Sequence, residues 1–489
     1  MRKLIFFTCL LISVTAGLSA QQYDLVLEGG RVIDPETHLD AVRNVGIDAG
    51  KIVRISTEPL QGKRVVHATG LVVAPGFIDL HQHGQELASQ RVKAFDGVTT
   101  ALEMEIGVPD VAQFLKMKEG HSLINYGTTA SHAAARSLIF GAPLTGTSDP
   151  RGGIPEILPK SGPATNEPAT PEQIAKIQQR LRDELDAGAL GVGMGIQYTP
   201  GATRLEIIDM FRVAAARKLP VYTHVRSSGR IEPGSAIEAV EEVIGAATIT
   251  GAPLHIVHIN STCLRDSLEC LSLVEGARAR GLDVTTEAYP YIAGMTAINS
   301  AVFNPGWRER QGIDYGNLVL PDTGEHLTKE RFEELHNSSK AQDVLIFSNT
   351  QQMVDATIPN PLIMIASDGA AGHPRNAGTY SRVLAQYVRE KKTLTLMEAI
   401  RKMTLMPAQM LEQSTPTAKR KGRLQEGADT DIVVFDPQTI SDRATFEKPM
   451  EPSVGVRYLL VGGAVVIDDG KMVTDVFPGR ALLGSGKGR

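Results

Sequence analysis

The sequence predicts an α/β chain: a (β/α)8 barrel of the TIM type carrying a small β-sandwich built from its N- and C-terminal segments. Three observations support this. Eight short, near-continuously apolar runs alternate with longer amphipathic stretches from Gly76 onward. Before residue 75 there are only strand and hairpin signals, and strand signals return after Gly422. Finally, 42% of the 489 residues are hydrophobic and 21% charged, enough apolar mass for a large core and too much for a disordered chain.

Taken in order, residues 1–20 open with Arg2 and Lys3, are apolar from Leu4 to Val14 and close on Leu18-Ser19-Ala20. This is the pattern of a secretory signal peptide cut before Gln21. The apolar run is shorter than the ~20 residues of a membrane-spanning helix. A secreted or periplasmic protein without stable membrane insertion is therefore expected. Residues 21–75 hold strand candidates at 23–28, 45–48, 51–55, 64–67 and 71–73, with Asp48-Ala49-Gly50 as hairpin chemistry. Together with candidates at 431–435, 458–461 and 464–468, they form a composite β-domain of residues 21–75 and 416–480.

Residues 76–415 hold the barrel, with strand candidates at 77–83, 99–106, 123–132, 189–196, 220–225, 253–259, 283–291 and 362–368. Apolar strands in such a series need helices covering them. The clearest helix follows Thr170 and Pro171, a cap and first-turn pair, with Ile174, Ile177, Leu181 and Leu185 at helical spacing. The stretch 292–345 departs from the repeat and is expected to form a lid or extra helices over one mouth. Cys263 and Cys270 read as buried thiols two turns apart on one helix, ~10 Å along its axis, beyond the reach of a disulfide.

Composition also narrows the partners. Three cysteines exclude a disulfide scaffold. A net charge of −5, with no basic run longer than Lys419-Arg420-Lys421, gives no footprint for nucleic acid.

The ends of the strand candidates carry the chemistry, where a barrel enzyme places its site. The first ends in Asp79-Leu80-His81-Gln82-His83, whose two histidines share one strand face. The second ends in Glu103-Met104-Glu105, the fifth in His224, the sixth in His258 and the eighth in Asp368. Imidazole and carboxylate donors suit one or two Zn²⁺ ions, with another divalent metal as the alternative. A bridging anion is needed for two ions. Glu105 is preferred to Glu103 because it lies nearer the strand end. Asp368 is the candidate general base, able to take a proton from water and pass it to a leaving amine. Arg226, two residues past His224, is a possible partner for a substrate carboxylate, whereas Tyr289 and Tyr291 read as core.

With these residues in hand, the chain resembles the amidohydrolase superfamily from Gly29-Gly30-Arg31-Val32-Ile33-Asp34 to Gly427-Ala428-Asp429-Thr430-Asp431. Pro75-Gly76-Phe77-Ile78-Asp79 followed by His81 and His83 is the most specific signature. Within the superfamily it is similar to the N-acyl-D-amino-acid deacylases, at Tyr198-Thr199-Pro200-Gly201, Tyr222-Thr223-His224-Val225-Arg226, Ala288-Tyr289-Pro290-Tyr291 and His373-Pro374-Arg375. The run Gly97 to Glu105 resembles the D-glutamate deacylase branch.

The resemblance implies hydrolysis of the amide bond of an N-acyl-D-amino acid, with N-acyl-D-glutamate among the substrates. A hydroxide generated on the metal would attack, and Asp368 would move the proton. It further implies that Tyr198 and Arg375 hold the substrate's α-carboxylate. The expected partner is thus a small N-acyl amino acid; the oligomeric state is left open.

Two positions depart from the family. The D-aminoacylases carry a metal-bridging Cys at the end of strand two; strict alignment sets Ile106 opposite it, so a glutamate replaces it by type but not by register. Asn260 stands where those relatives have a lysine. The alternatives are a D-residue dipeptidase or a cyclic amidase of the hydantoinase and dihydropyrimidinase type. The latter is expected to carry a carboxylated lysine on strand four, and residues 189–196 contain no lysine.

Overall fold

The computed structural model describes residues 22–142, 162–338, 340 and 342–485; the expected signal segment lies outside the described residues. Eight parallel strands form the barrel in sequence order: Phe77–Asp79, Val98–Val108, Asn125–Ser131, Val192–Gly195, Val221–His224, Leu254–Ile256, Val284–Ala288 and Ile363–Ile365. A parallel bridge between Gln82 and Gly369 joins the ends of the first and eighth strands. The His83 N–H donates to the Gly369 carbonyl at 2.8 Å beside it. All eight strand candidates lie in this barrel, but most are shorter than their apolar runs. His81, His83, His258 and Asp368 consequently stand just beyond strand ends, on loops that turn over the mouth.

Apolar residues from alternate positions fill the barrel: Ile78, Leu102, Met104, Tyr222 and Met364 pack together inside it. The opposite strand faces, with Phe77, Val98, Val192 and Val221, meet the surrounding helices. The helix Pro171–Ala187 begins with the expected cap. Thr170 Oγ1 accepts from the Gln173 N–H at 3.2 Å, and Gln173 Oε1 accepts from the Thr170 N–H at 2.8 Å. Its buried stripe is Ile177, Leu181 and Leu185, and Gly188, left-handed at φ 116°, ends it.

Both chain ends enter one nine-stranded sheet. The strand Val72–Pro75 pairs in parallel with Gln22–Asp34 on one side and antiparallel with Ile432–Phe435 on the other, Val73 opposite Val434. Leu27, Val32, Val73, Val434 and Leu460 form its own core. Asn125 donates to Asp431 at 2.9 Å and so ties this sheet to the third barrel strand.

One expectation is extended and another corrected. Besides the helices Trp307–Gln311 and Lys329–His336, the stretch 292–345 contains a three-stranded antiparallel sheet of Gly294–Ala297, Leu318–Val319 and Asp343–Ile346. It carries an apolar cluster of Ile298, Phe303, Trp307 and Phe332 that reaches Tyr198 and Ile106. Cys263 and Cys270 form a disulfide, their Cα atoms 6.6 Å apart. They do not share a continuous helix. A short helix Ile259–Thr262 ends at Cys263, Leu264 turns left-handed at φ 51°, and a new helix starts at Ser267. That break shortens the axial separation on which the thiol reading rested. Among the described residues no helix is long and apolar enough to cross a membrane.

Replacing Thr170 by alanine removes the cap and is expected to lower stability by about 1 kcal/mol, read as a fall in Tm with turnover unchanged.

Candidate metal centre

The second barrel strand sets the geometry of the mouth. Its pairing with the third slips between Glu103–Thr128 and Val108–Ala130. Gly107 turns left-handed at φ 71°, where a Cβ would lie 2.5 Å from the Thr129 carbonyl oxygen. Glu103 Oε1 accepts from the N–H groups of Ile106 and Gly107, at 3.0 and 3.3 Å, and fills the bulge. Strict alternation fails there, so Glu105 turns into the mouth while Ile106 joins the apolar cluster beside Tyr198. Gly193 on the fourth strand permits this: a Cβ there would sit 2.6 Å from the Glu105 carbonyl oxygen.

Glu105 is buried and divides its two oxygens between two groups of donors. Oε2 lies 3.1 Å from Nε2 of His81 and 3.1 Å from Nε2 of His83. Those two nitrogens are 3.2 Å apart, and Asp368 Oδ1 is 3.4 and 3.2 Å from them. Oε1 lies 2.6 Å from His224 Nδ1 and 3.1 Å from His258 Nε2. His258 and Asp368 have left-handed backbones, φ 30° and 51°, conformations costly for residues with a Cβ and concentrated at functional sites.

The imidazoles are held from behind. Glu287, on the seventh strand, places Oε1 2.7 Å from His81 Nδ1 and Oε2 3.1 Å from His255 Nε2. Glu103 Oε2 lies 2.6 Å from His83 Nδ1. Gln197 Oε1 lies 2.6 Å from His224 Nε2, and His258 Nδ1 is buried without a partner. Glu287, His255 and Gln197 escaped the sequence reading. The available signal was polar residues inside otherwise apolar strand runs, Glu287 and His255 above all.

These donors fit a divalent ion. For a tetrahedral ion with ligands at ~2.0–2.1 Å, donor–donor separations come to about 3.3 Å. The five separations given above among His81, His83, Glu105 and Asp368 span 3.1 to 3.4 Å. Carboxylates behind the ring nitrogens of His81 and His83 orient them as ligand partners do. Charge agrees. Glu103, Glu105, Glu287 and Asp368 are buried together, and among the described residues Arg375 is the guanidinium that pairs with this group, through Asp368. Burial lowers the His81 pKa, yet Asp368 and Glu105 outweigh it and lift the value to about 10. For Glu105, burial pushes the pKa upward, but His81, His224 and His258 hold it well below the usual carboxylate range. In Glu287, burial is likewise overcome by His255 and His81, bringing it to about 2. The mouth is thus a cluster short of positive charge.

Around it lie the residues expected to meet substrate. Arg375 is buried, its Nη1 2.8 Å from Asp368 Oδ2, its guanidinium 4.6 Å from the Tyr289 ring centroid and its Nε without a hydrogen-bond partner. Tyr289, read from the sequence as core, therefore lines the site. Tyr198 packs edge-on against His224 with ring centroids 5.0 Å apart, and its hydroxyl accepts from Thr296 at 3.3 Å. Burial, reinforced by Glu105, raises the Tyr198 pKa and keeps it a neutral donor.

Arg226 is not brought to the donor cluster. Its Nε and Nη2 each lie 2.7 Å from the Glu242 carboxylate, and Nη1 donates to the Pro200 carbonyl at 3.1 Å. Its fork is committed to the helix Ala236–Thr250 and the loop after Tyr198. Asn260 donates to the Tyr289 carbonyl at 2.9 Å, a neutral brace for the end of the seventh strand.

A closed parallel barrel whose mouth gathers four histidines and two carboxylates around a shortage of positive charge defines a metal-binding barrel hydrolase. Residues 162–467 match the amidohydrolase family, and the chain belongs to that family. N-acyl-D-glutamate deacylase of Alcaligenes xylosoxydans xylosoxydans is 30% identical over 479 residues, covering 91% of this chain and 94% of the relative. D-aminoacylase of the same organism is 29% identical over 499 residues, covering 95% and 98%. The crystal structure of N-acyl-D-glutamate deacylase from Bordetella bronchiseptica, complexed with zinc and a phosphonate mimic of the tetrahedral intermediate, superposes with a TM-score of 0.78. It is 25% identical and covers 95% of this chain and 100% of that one.

Replacing Arg226 by methionine strands Glu242 and is expected to lower stability by about 3 kcal/mol without weakening substrate binding, measured as Tm and KM. Glu105→Ala is expected to lose bound divalent metal in elemental analysis, whereas Glu103→Ala retains most of it.

Proposed function

We propose that this protein hydrolyses the amide bond of N-acyl-D-amino acids, N-acyl-D-glutamate among them. His81, His83, Glu105, His224 and His258 would hold one or two divalent ions, zinc by preference, and Asp368 would act as the general base. The observation that carries this reading is the position of Asp368. One carboxylate oxygen faces His81 and His83 at 3.4 and 3.2 Å, and the other faces Arg375 at 2.8 Å. The group suited to proton transfer thus lies between the donor cluster and the buried cation.

A divalent ion held there would supply Lewis-acid polarisation of the amide carbonyl and would lower the pKa of water. Asp368 removes the proton from the attacking water at Oδ1 and delivers it to the departing amine nitrogen. Burial alone would raise its pKa; Arg375 and His81 outweigh that and keep it ionised, as a base must be. Arg375 offers its free N–H groups to the substrate's α-carboxylate, and Tyr198 adds one hydroxyl donor. The Tyr289 ring fixes the plane of the guanidinium. The fourth strand, Val192–Gly195, has no lysine to carboxylate, which favours this reading over a cyclic amidase. Export is proposed on the charged and apolar pattern of residues 1–20.

N-acetyl- and N-formyl-D-amino acids are expected to be hydrolysed, with their L-enantiomers, hydantoins and D-containing dipeptides turned over far more slowly. Activity should vanish with a chelator and return with zinc. Turnover confined to hydantoins would overturn the reading. Asp368→Asn is expected to reduce kcat by on the order of 10³-fold, and unchanged turnover would remove Asp368 from the base role.

A further inference from the structure

We infer that Gln82 is a positioning residue for the substrate's anchor. Its buried side-chain amide, bonded to that of Asn376, fixes Arg375 at a set distance from His81 and His83. The inference rests on the reading that Arg375 holds the substrate's α-carboxylate.

Between two histidines that face the donor cluster, Gln82 turns its side chain the other way, toward the helix Arg375–Arg382. On other outward strand faces Phe77, Val98 and Val192 meet helices with apolar side chains, yet here stands an amide only 1% exposed. A buried amide is costly unless it is hydrogen-bonded. Gln82 Nε2 donates to the Gly84 carbonyl at 2.7 Å and to Asn376 Oδ1 at 2.8 Å, and Oε1 lies 3.2 Å from Ser367 Oγ. The carbonyl partner settles which end of the amide is the nitrogen. Asn376 is held at its far end too: Nδ2 donates to Ser89 at 2.9 Å and lies 3.2 Å from Met450 Sδ. The main chain of Gln82 belongs to the barrel wall, donating to the Leu102 carbonyl at 2.9 Å and bridging to Gly369. The amide pair therefore joins that wall to the first turn of the helix that begins with Arg375.

The loop after the eighth strand is pressed onto this pair. A Cβ on Gly369 would lie 2.3 Å from Gln82 Oε1 and 3.0 Å from Asn376 Oδ1. Asp368, just before it, has a separate hold. Ser367 donates to Asp79 from its N–H at 2.9 Å and from its hydroxyl at 2.6 Å, and Asp79 pairs with buried Lys93 at 2.7 Å. His81 and His83 likewise keep Glu287 and Glu103 behind them, at 2.7 and 2.6 Å. Loss of the amide pair thus falls on Arg375 more than on the base or the donor cluster. A displaced guanidinium weakens its grip on the α-carboxylate equally in ground and transition states, which raises KM and spares kcat.

The test compares Gln82→Met, Asn376→Leu and the double variant with the wild type, as metal-loaded full-length protein. Steady-state kinetics on N-acetyl-D-amino acids are read beside metal content and Tm. Each single change should raise KM on the order of 10–100-fold, with kcat and bound metal near wild-type values. The double variant should have a KM no higher than the poorer single variant, because both changes remove one interaction. A merely structural role would lower Tm and leave KM in place, and that result would overturn the inference. Additive effects on KM, or losses confined to kcat or to metal, would overturn it equally. Should either single variant fail to fold, Ser89→Ala removes only the group that orients the Asn376 amide, and must raise KM in the same direction. Hydrolysis by the wild type with KM unchanged in the variants would refute this inference alone. A wild type inert toward every N-acyl-D-amino acid would refute the proposed reaction and, with it, the anchor.

Discussion

Glu105 is a buried carboxylate facing four imidazoles, those of His81 and His83 through one oxygen and those of His224 and His258 through the other. A lone carboxylate taken out of water at this depth would be neutralised by a proton. The surrounding rings keep it charged instead, and the same rings are the donors that a divalent ion requires. The slip in the second strand turns Glu105 inward, and Gly193 leaves room for the bulged backbone. His258 and Asp368 adopt left-handed backbones where the loops bring them to the same point. The outer carboxylates Glu103 and Glu287 then set which nitrogen of each facing ring looks inward.

The substrate side of the mouth is economical. Arg375 serves as ion-pair partner to Asp368 and as the buried guanidinium with donors to spare, and Tyr289 backs it. Arg226, close in sequence to His224, braces the loop after Tyr198 through the Pro200 carbonyl while paired with Glu242. It therefore shapes the site from behind.

The barrel was legible because buried parallel strands must be apolar along their whole length, and because polar residues closing such runs have few structural reasons to be there. The two-ended sheet was legible from strand signals at both ends of the chain. What was not legible follows from interactions that period and spacing do not encode. The choice between Glu103 and Glu105 turns on a bulge, which breaks the two-residue alternation on which the comparison rested. The partner of Arg226 lies 16 residues on, across a loop and on another element. Glu287 and His255 sit within strand runs and looked like interruptions of the core, although they support the metal-facing layer. The disulfide depended on a single left-handed residue, Leu264, between two short helical pieces.

A glutamate at the centre of the mouth also decides which chemical insults the protein can survive. The sequence contains three cysteines: one in the proposed leader, Cys9, and two bonded to each other, Cys263 and Cys270. No cysteine belongs to the donor cluster among the described residues. A bridging thiolate can be carried to sulfenic and sulfinic acids by peroxide and captured by mercurials, whereas a carboxylate has no such ladder. Oxygen is also the harder donor, so a carboxylate in that place suits harder divalent ions better than soft cuprous ones. A centre built on Glu105 is thus suited to work where oxidants and thiol-seeking metals are plentiful.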